Sequence, residues 1–341
     1  MFKFGFFDEP QDLDQAAKAD GGEGDSVLSA SLSKLVEYRP PSQPWSKQQL
    51  FTGDPRAGQH EGLVQLVAHG ASGTADGTAL SSITSHLDVK PGVYEGGFKT
   101  WECTKDLIRF MAEPSHELSP GASVLDLGCG PGLAGCAALQ QGCNVLFQDL
   151  NADVLAASTC AHIHANCSDR ASAAVLLAGT WAAQAAYLQQ EDVQAALPTW
   201  ASSGQFDVIL SSETLYREAY LGQLLHALLA AMAPHTTVLL ATKRFYFGVG
   251  GGTRPWLDYL AKALGEERAE PPAAAAAGAG ESGDRSVLLY TSPPLERGAL
   301  RALNAEQLAG RRLLLHRVQA IADGGSNVRD ILRMTTEEAG Q

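Results

Sequence analysis

Three glycines and two carboxylates near the middle of the chain have the types and spacing to hold a nucleotide-like cofactor. Residues 123–132 read Ser-Val-Leu-Asp-Leu-Gly-Cys-Gly-Pro-Gly. Val124, Leu125 and Leu127 have the character of a buried parallel strand. Gly128, Gly130 and Gly132 follow as a bend before a helical stretch. Glycine at such a bend takes backbone angles closed to other residues and lets a ligand lie against the main chain. Further on, Val145-Leu146-Phe147-Gln148-Asp149 is a second strand ending in an acid. A carboxylate there can accept both hydroxyls of a ribose.

The cofactor is narrowed by Asp126. Gly130, Gly132 and Gly135 also fit G-x-G-x-x-G, the dinucleotide-binding spacing, but only in a shifted register. That register extends the strand to Cys129 and buries Asp126 within it, where an unpaired carboxylate is expensive. With the strand ending at Leu125–Leu127, Asp126 lies at its carboxyl end beside the bend. The arrangement then suits a cofactor with a cationic amino-acid moiety, such as S-adenosylmethionine. Asp149 fits both cofactors and does not discriminate. A glycine-rich turn with no ligand is the plain alternative.

Other segments carry candidate groups at the same sheet edge. Val93-Tyr94-Glu95-Gly96-Gly97-Phe98-Lys99-Thr100-Trp101-Glu102-Cys103-Thr104 is too distinctive for a linker, and Trp101 can cover a bound cofactor. Gly179-Thr180-Trp181 follows the third strand, with an indole where an adenine ring would lie, although a core aromatic is the commoner fate of a Trp. Ser211-Ser212-Glu213-Thr214-Leu215-Tyr216 ends the fourth strand, where open α/β sheets bind ligands. Ser212, Glu213 and Tyr216 can present hydrogen-bonding groups to a methyl acceptor; capping of the next helix is the competing role. Tyr246, Phe247, Gly248 and Gly250 follow the fifth strand and suit a gate over a substrate side chain. Cys160, His162, His164 and Cys167 do not share one helix face, so no metal site is expected.

These groups need a scaffold, and the hydrophobic pattern supplies one. Strand-like segments at 175–178, 206–210 and 237–242 alternate with helical stretches at 152–165, 220–232 and 256–264. Such alternation implies βαβ crossovers and a parallel sheet. Segments 312–321 and 328–334 flank Asp323-Gly324-Gly325-Ser326 as a hairpin. The expected architecture is a doubly wound, mostly parallel, seven-stranded Rossmann-like sheet ending in that hairpin. Residues 1–85 read as a mostly disordered or low-complexity extension, and 86–341 as the domain, with a low-complexity insertion at about 266–310.

The chain has 341 residues, is 45% hydrophobic and 18% charged, and carries a net charge of −13. That balance argues against direct nucleic-acid binding, which wants a basic face, and allows steering toward a basic protein. No run approaches the eighteen or so apolar residues that span a bilayer. The N-terminus has neither a signal-peptide nor a transit-peptide pattern. Six cysteines, all between 100 and 170, suggest reduced thiols. The expected setting is the cytoplasm or nucleus, nucleolus included.

Taken together, Phe2, Phe4 and Phe6, the 92–104 block, Val124–Gly130, Phe147-Gln148-Asp149 with Asn151, Gly179 with Trp181, Ser212-Glu213-Thr214 with Tyr216, and Tyr246–Gly252 resemble the protein-histidine N-methyltransferases of the seven-β-strand superfamily. The likeness covers roughly 90–265 and the terminal hairpin. Departures are the 17–85 segment, the alanine-rich insertion, and Thr180 where that family often has an acid. The resemblance implies S-adenosylmethionine as cofactor, with the glycine bend (Gly128, Gly130) and Asp126 at its methionine part. Asp149 and Asn151 fall on the ribose side, and Trp101 and Trp181 around the adenosine, with Leu150, Gly179 and Thr180 among the further implied cofactor contacts. Thr100, Glu102, Thr104, Ser211 and Ser212 complete the implied contacts. Glu213 and Tyr216 are the implied catalytic pair, Tyr246, Phe247, Gly248 and Gly250 meet the substrate, and the substrate is a basic protein of the large ribosomal subunit. A lysine methyltransferase and a non-catalytic ribosome-assembly factor with this fold are the rival readings.

Overall fold

A computed structural model describes residues 34–36, 46–49, 64–67, 89, 93–264, 287–291, 311–322 and 327–338. In chain order its strands are β1 (Lys34–Val36), β2 (Ser46–Gln49), β3 (Val64–Val67), β4 (Ser123–Leu127), β5 (Asn144–Asp149), β6 (Ala174–Ala178) and β7 (Phe206–Ser212). They continue as β8 (Met232–Lys243), β9 (Val287–Thr291), β10 (Arg311–Ala322) and β11 (Val328–Glu338). The principal helices are α1 (Glu102–Met111), α2 (Leu133–Gln140), α3, α4 (Trp181–Tyr187), α5 (Glu191–Ala196), α6 (Leu221–Ala231) and α7 (Thr253–Leu264). Here α3 is the run Ala152–Val154, a π-helical turn Leu155–Thr159 and Cys160–Cys167.

Nine strands form one sheet in the order β1-β6-β5-β4-β7-β8-β11-β10-β9. The inner seven, β6 to β10, are the expected sheet. From β6 to β8 the neighbours run parallel, and β11 and β10 close it as an antiparallel hairpin. The expected count was seven. The additions sit at the edges, where β1 pairs with β6 and β9 with β10. Val287-Leu288-Leu289-Tyr290-Thr291 is an apolar strand within the stretch read as a low-complexity insertion. β1 to β3 likewise fall within residues 1–85. The other residues of that stretch, apart from the described strands, and of 266–310 lie outside the described residues, as does the hairpin turn at 323–326.

The chain leaves β4 toward β5 and β6 on one side and β7 and β8 on the other. The order reverses at β4, and a crevice opens beyond the carboxyl ends there. β4 is buried at all five positions because helices cover both faces. Its side chains alternate: Leu125 and Leu127 join Leu224, Leu228 and Trp256 on one face, while Val124 joins Leu107, Leu133 and Phe147 on the other. α2 lies so close to β5 that a Cβ on Gly135 would sit 2.2 Å from the Phe147 ring. α1, which the sequence pattern did not separate from the 93–104 block, buries Leu107, Ile108 and Met111 under that second face.

Candidate active site

The register of β4 with β5 sets Leu127 beside Gln148, and that of β5 with β6 sets Asp149 beside Ala178. Three loops therefore start level at the sheet edge. Gln148 ties two of them: its Oε1 accepts from the Gly128 amide (3.1 Å) and its Nε2 donates to the Gly179 carbonyl (2.7 Å). Gly128, Gly130 and Gly132 all have positive φ (68°, 51° and 75°), which turns the chain sharply over the ends of β4 and β5. The Gly130 amide donates to Asp149 Oδ2 (2.9 Å) and the Asn151 amide to Asp149 Oδ1 (3.1 Å). Burial pushes the Asp149 carboxyl up to about 6 despite those donors.

Asp126 differs from its expected place. It is buried within β4, on the Val124 face, and its Oδ2 accepts the Gly135 amide of α2 (2.8 Å). Burial pushes it up to about 7. It braces the bend from beneath and does not line the cleft. The cost of burial was the argument against a buried Asp126, and the Gly135 amide together with the raised pKa is how the fold meets it.

The cleft encloses about 840 Å³, including space open to solvent. Of the residues singled out in the sequence, Trp101, Thr104, Gly128, Gly130, Asp149, Leu150, Gly179, Thr180, Trp181, Ser212, Glu213 and Tyr216 line it. Trp101 is fixed by its indole N–H on the Gly96 carbonyl (3.2 Å), with the Lys99 ammonium 4.4 Å from its ring centre. Thr180 also caps α4, its hydroxyl accepting from the Ala183 amide (3.1 Å). Thr104 and Ser212 share a hydrogen bond of 2.8 Å across the cleft floor.

The opposite end of the cleft is built from side chains. Glu213 has φ 59°, unusual outside glycine, and its carboxylate accepts the Cys103 amide (3.1 Å) and the Tyr246 hydroxyl. Tyr216 donates its hydroxyl to Glu95, and its ring meets that of Tyr246 edge-on at 6.4 Å. Burial first, then the adjacent carboxylate, raises the pKa of each tyrosine, so both hydroxyls stay protonated as donors.

Several expected contacts are placed elsewhere. Asn151 sends its amide to the Val93 carbonyl (2.8 Å), tying the 93–101 segment to the sheet. Glu102 points away to Lys243 (3.1 Å) and Asn327 (2.8 Å). Ser211 is buried on the Leu127 carbonyl and Thr214. Thr100, Phe247, Gly248 and Gly250 do not line the cleft, and Tyr246 reaches it through Glu213. Among the residues sequence reasoning gave no role, Glu95, Lys99, Cys129, Pro131, Thr214, Tyr220 and Gln223 line it. Among the described residues no cluster of His, Cys, Asp or Glu could hold a metal ion. All six cysteines are free and buried.

Comparison with known proteins now bears on what this cleft holds. A family model described as a methyltransferase domain matches residues 102–263. Over 173 residues the chain is 37% identical to the histidine protein methyltransferase 1 homolog of Dictyostelium discoideum, covering 51% of each chain. Over that stretch the chain is similar to proteins named histidine protein methyltransferase. The rat homolog of that name is 35% identical over 202 residues, covering 52% of this chain and 53% of its own. Histidine protein methyltransferase 1 of Schizosaccharomyces pombe is 27% identical over 302 residues, covering 76% and 85%. The chain spans about half the length of the first two relatives. S-adenosylmethionine is the cofactor of such a domain, and the residues present fit it. A buried acid, glycine backbone at the bend and two indoles on the walls are groups such a cofactor can use.

Proposed function

We propose that this protein is an S-adenosylmethionine-dependent methyltransferase whose acceptor is a ring nitrogen of a histidine in a basic protein of the large ribosomal subunit. The observation that carries the reading is the acceptor end of the cleft, where two carboxylate–tyrosine pairs, Glu213–Tyr246 and Glu95–Tyr216, stand beside the cofactor loops. Bound there, S-adenosylmethionine supplies an electrophilic methyl group on a sulfonium sulfur. The chain's own residues then have little covalent work to do. They hold the acceptor in line, exclude water and fix its protonation, which is how positioning lowers a barrier.

A neutral imidazole carries a lone pair on one nitrogen and a proton on the other. A carboxylate at the acceptor end can accept that N–H and leave the lone pair facing the cofactor. A lysine acceptor would first have to lose a proton. The net charge of −13 supports attraction of a basic substrate.

The test is a rate–pH profile on purified large-subunit ribosomal proteins at saturating cofactor. Saturation matters because Asp149, raised to about 6, titrates in the same window and would weaken cofactor binding there. For histidine the rate should fall below about pH 6 as the ring gains its proton. A rate still climbing at about pH 9, with methyl-lysine as product, would replace this reading by the lysine one.

A further inference from the structure

We infer that Glu95, rather than Glu213, accepts the ring N–H of the target histidine and so decides which nitrogen is methylated. The inference rests on the histidine reading above. Both carboxylates line the cleft, but they are held differently. Glu213 is only 9% exposed, with a backbone amide on one oxygen and the Tyr246 hydroxyl on the other. Together with its positive φ, this makes it a strut that joins α1, the end of β7 and the loop after β8.

Glu95 is half-buried at the cleft wall, on a segment that lies directly over the glycine bend. The Gly97 carbonyl oxygen is 3.2 Å from where a Gly130 Cβ would be, and Asn151 pins the segment at Val93. The Tyr216 hydroxyl donates to Glu95 and so aims the carboxylate, while the edge contact between Tyr216 and Tyr246 sets the two pairs side by side. A planar acceptor ring entering beside these tyrosines meets the Glu95 carboxylate, the less buried of the two.

The chemistry follows from that placement. The nitrogen lone pair forms the N–CH₃ bond while the S–CH₃ bond breaks and its electron pair stays on sulfur. The ring becomes a cation, and the Glu95 carboxylate, already bonded to the opposite N–H, offsets that charge and takes the proton on toward solvent. Because a carboxylate accepts and cannot donate, it selects one tautomer and therefore one product isomer.

The test uses the full chain with S-adenosylmethionine and large-subunit proteins from cells that lack this enzyme, and reads the two ring-methylated histidine isomers after acid hydrolysis. Unmutated protein is expected to give one isomer. Glu95→Ala should lower methylation efficiency about ten- to a hundredfold, what one hydrogen bond to a charged group carries, and release both isomers. Glu95→Gln should keep the single isomer, since its amide oxygen still accepts. Tyr216→Phe, which leaves the carboxylate but frees its direction, should give a partial mixture. Affinity for S-adenosylhomocysteine, read by calorimetry, should be unchanged in all three. A single isomer from Glu95→Ala, or loss of activity that tracks loss of that affinity, overturns the inference. Absence of methylhistidine from the unmutated protein overturns the histidine reading itself.

Discussion

At the β4–β6 end the cleft is walled by backbone: three positive-φ glycines, amides on Asp149 and Gln148, and a buried Asp126 beneath. At the β7–β8 end it is walled by the side chains of Glu213, Tyr216 and Glu95, with Tyr246 behind Glu213, and these come from three segments far apart in the chain. The first end depends on short-range geometry that a few residues determine. The second depends on how distant elements are held, and much of that holding comes from the terminal hairpin. Asp330 of β11 is fully buried and accepts from Arg244 (2.7 and 3.1 Å) and Thr253 (2.8 Å) on either side of the 245–252 loop. Its neighbour Arg329 pairs with Asp106 of α1. Cofactor binding and acceptor positioning should therefore be separable by mutation.

Stability should respond most to the hairpin. Arg329 and Asp106 are 7% and 4% exposed, and Arg109 approaches the same carboxylate at 3.5 Å, so Arg329→Met, which takes one cation from a buried carboxylate, should cost ~3 kcal/mol, read from denaturant midpoints. A cost no larger than that of a surface substitution would mean the hairpin does not brace α1. At the cofactor end, Asp149→Ala should weaken S-adenosylmethionine binding about ten- to a hundredfold in calorimetry by removing a charged acceptor from the ribose hydroxyls. Unchanged affinity in a folded variant would misplace the ribose.

Asp126 tests the same end through pH. Burial raises its pKa from 3.8 to about 7, so between those values the folded chain holds a proton that the unfolded chain releases. Its contribution to stability is full below pH 3.8 and is lost as pH rises through about 7. Asp126→Asn should flatten that fall, seen by comparing denaturation at about pH 5 and pH 8. An unchanged slope would assign the pH dependence to other groups. The smallest stability effect belongs to the acceptor side. Phe247 is 76% exposed, so Phe247→Ser should shift stability by under ~0.5 kcal/mol while raising KM for the protein substrate. A KM left unchanged would take this gate residue out of substrate binding.

The same contrast explains what could be read from sequence. The glycine bend, Asp149 and the Ser-Glu-Thr-Leu-Tyr run at 212–216 were legible because each is a local pattern at the end of an apolar strand. Glu95 was visible only as a letter in a motif, since its partner Tyr216 lies 121 residues away. Glu102 was expected at the cofactor on the resemblance alone, yet helix geometry turns it toward Lys243 and Asn327. The inward turn of Asp126 follows from strand alternation, which sets it on the α2 face. The edge strands β1 and β9 are short and flanked by glycine- and proline-rich sequence, which masked them.

The central claim, methyl transfer to a protein histidine, is tested most directly by quantitative mass spectrometry of large-subunit ribosomal proteins from cells with and without this chain. The account predicts one histidine that is methylated when the chain is present and unmodified when it is absent, restored by the unmutated gene but not by an Asp149→Ala copy. Identical histidine methylation in both cells, or a lysine as the residue that changes, would contradict it.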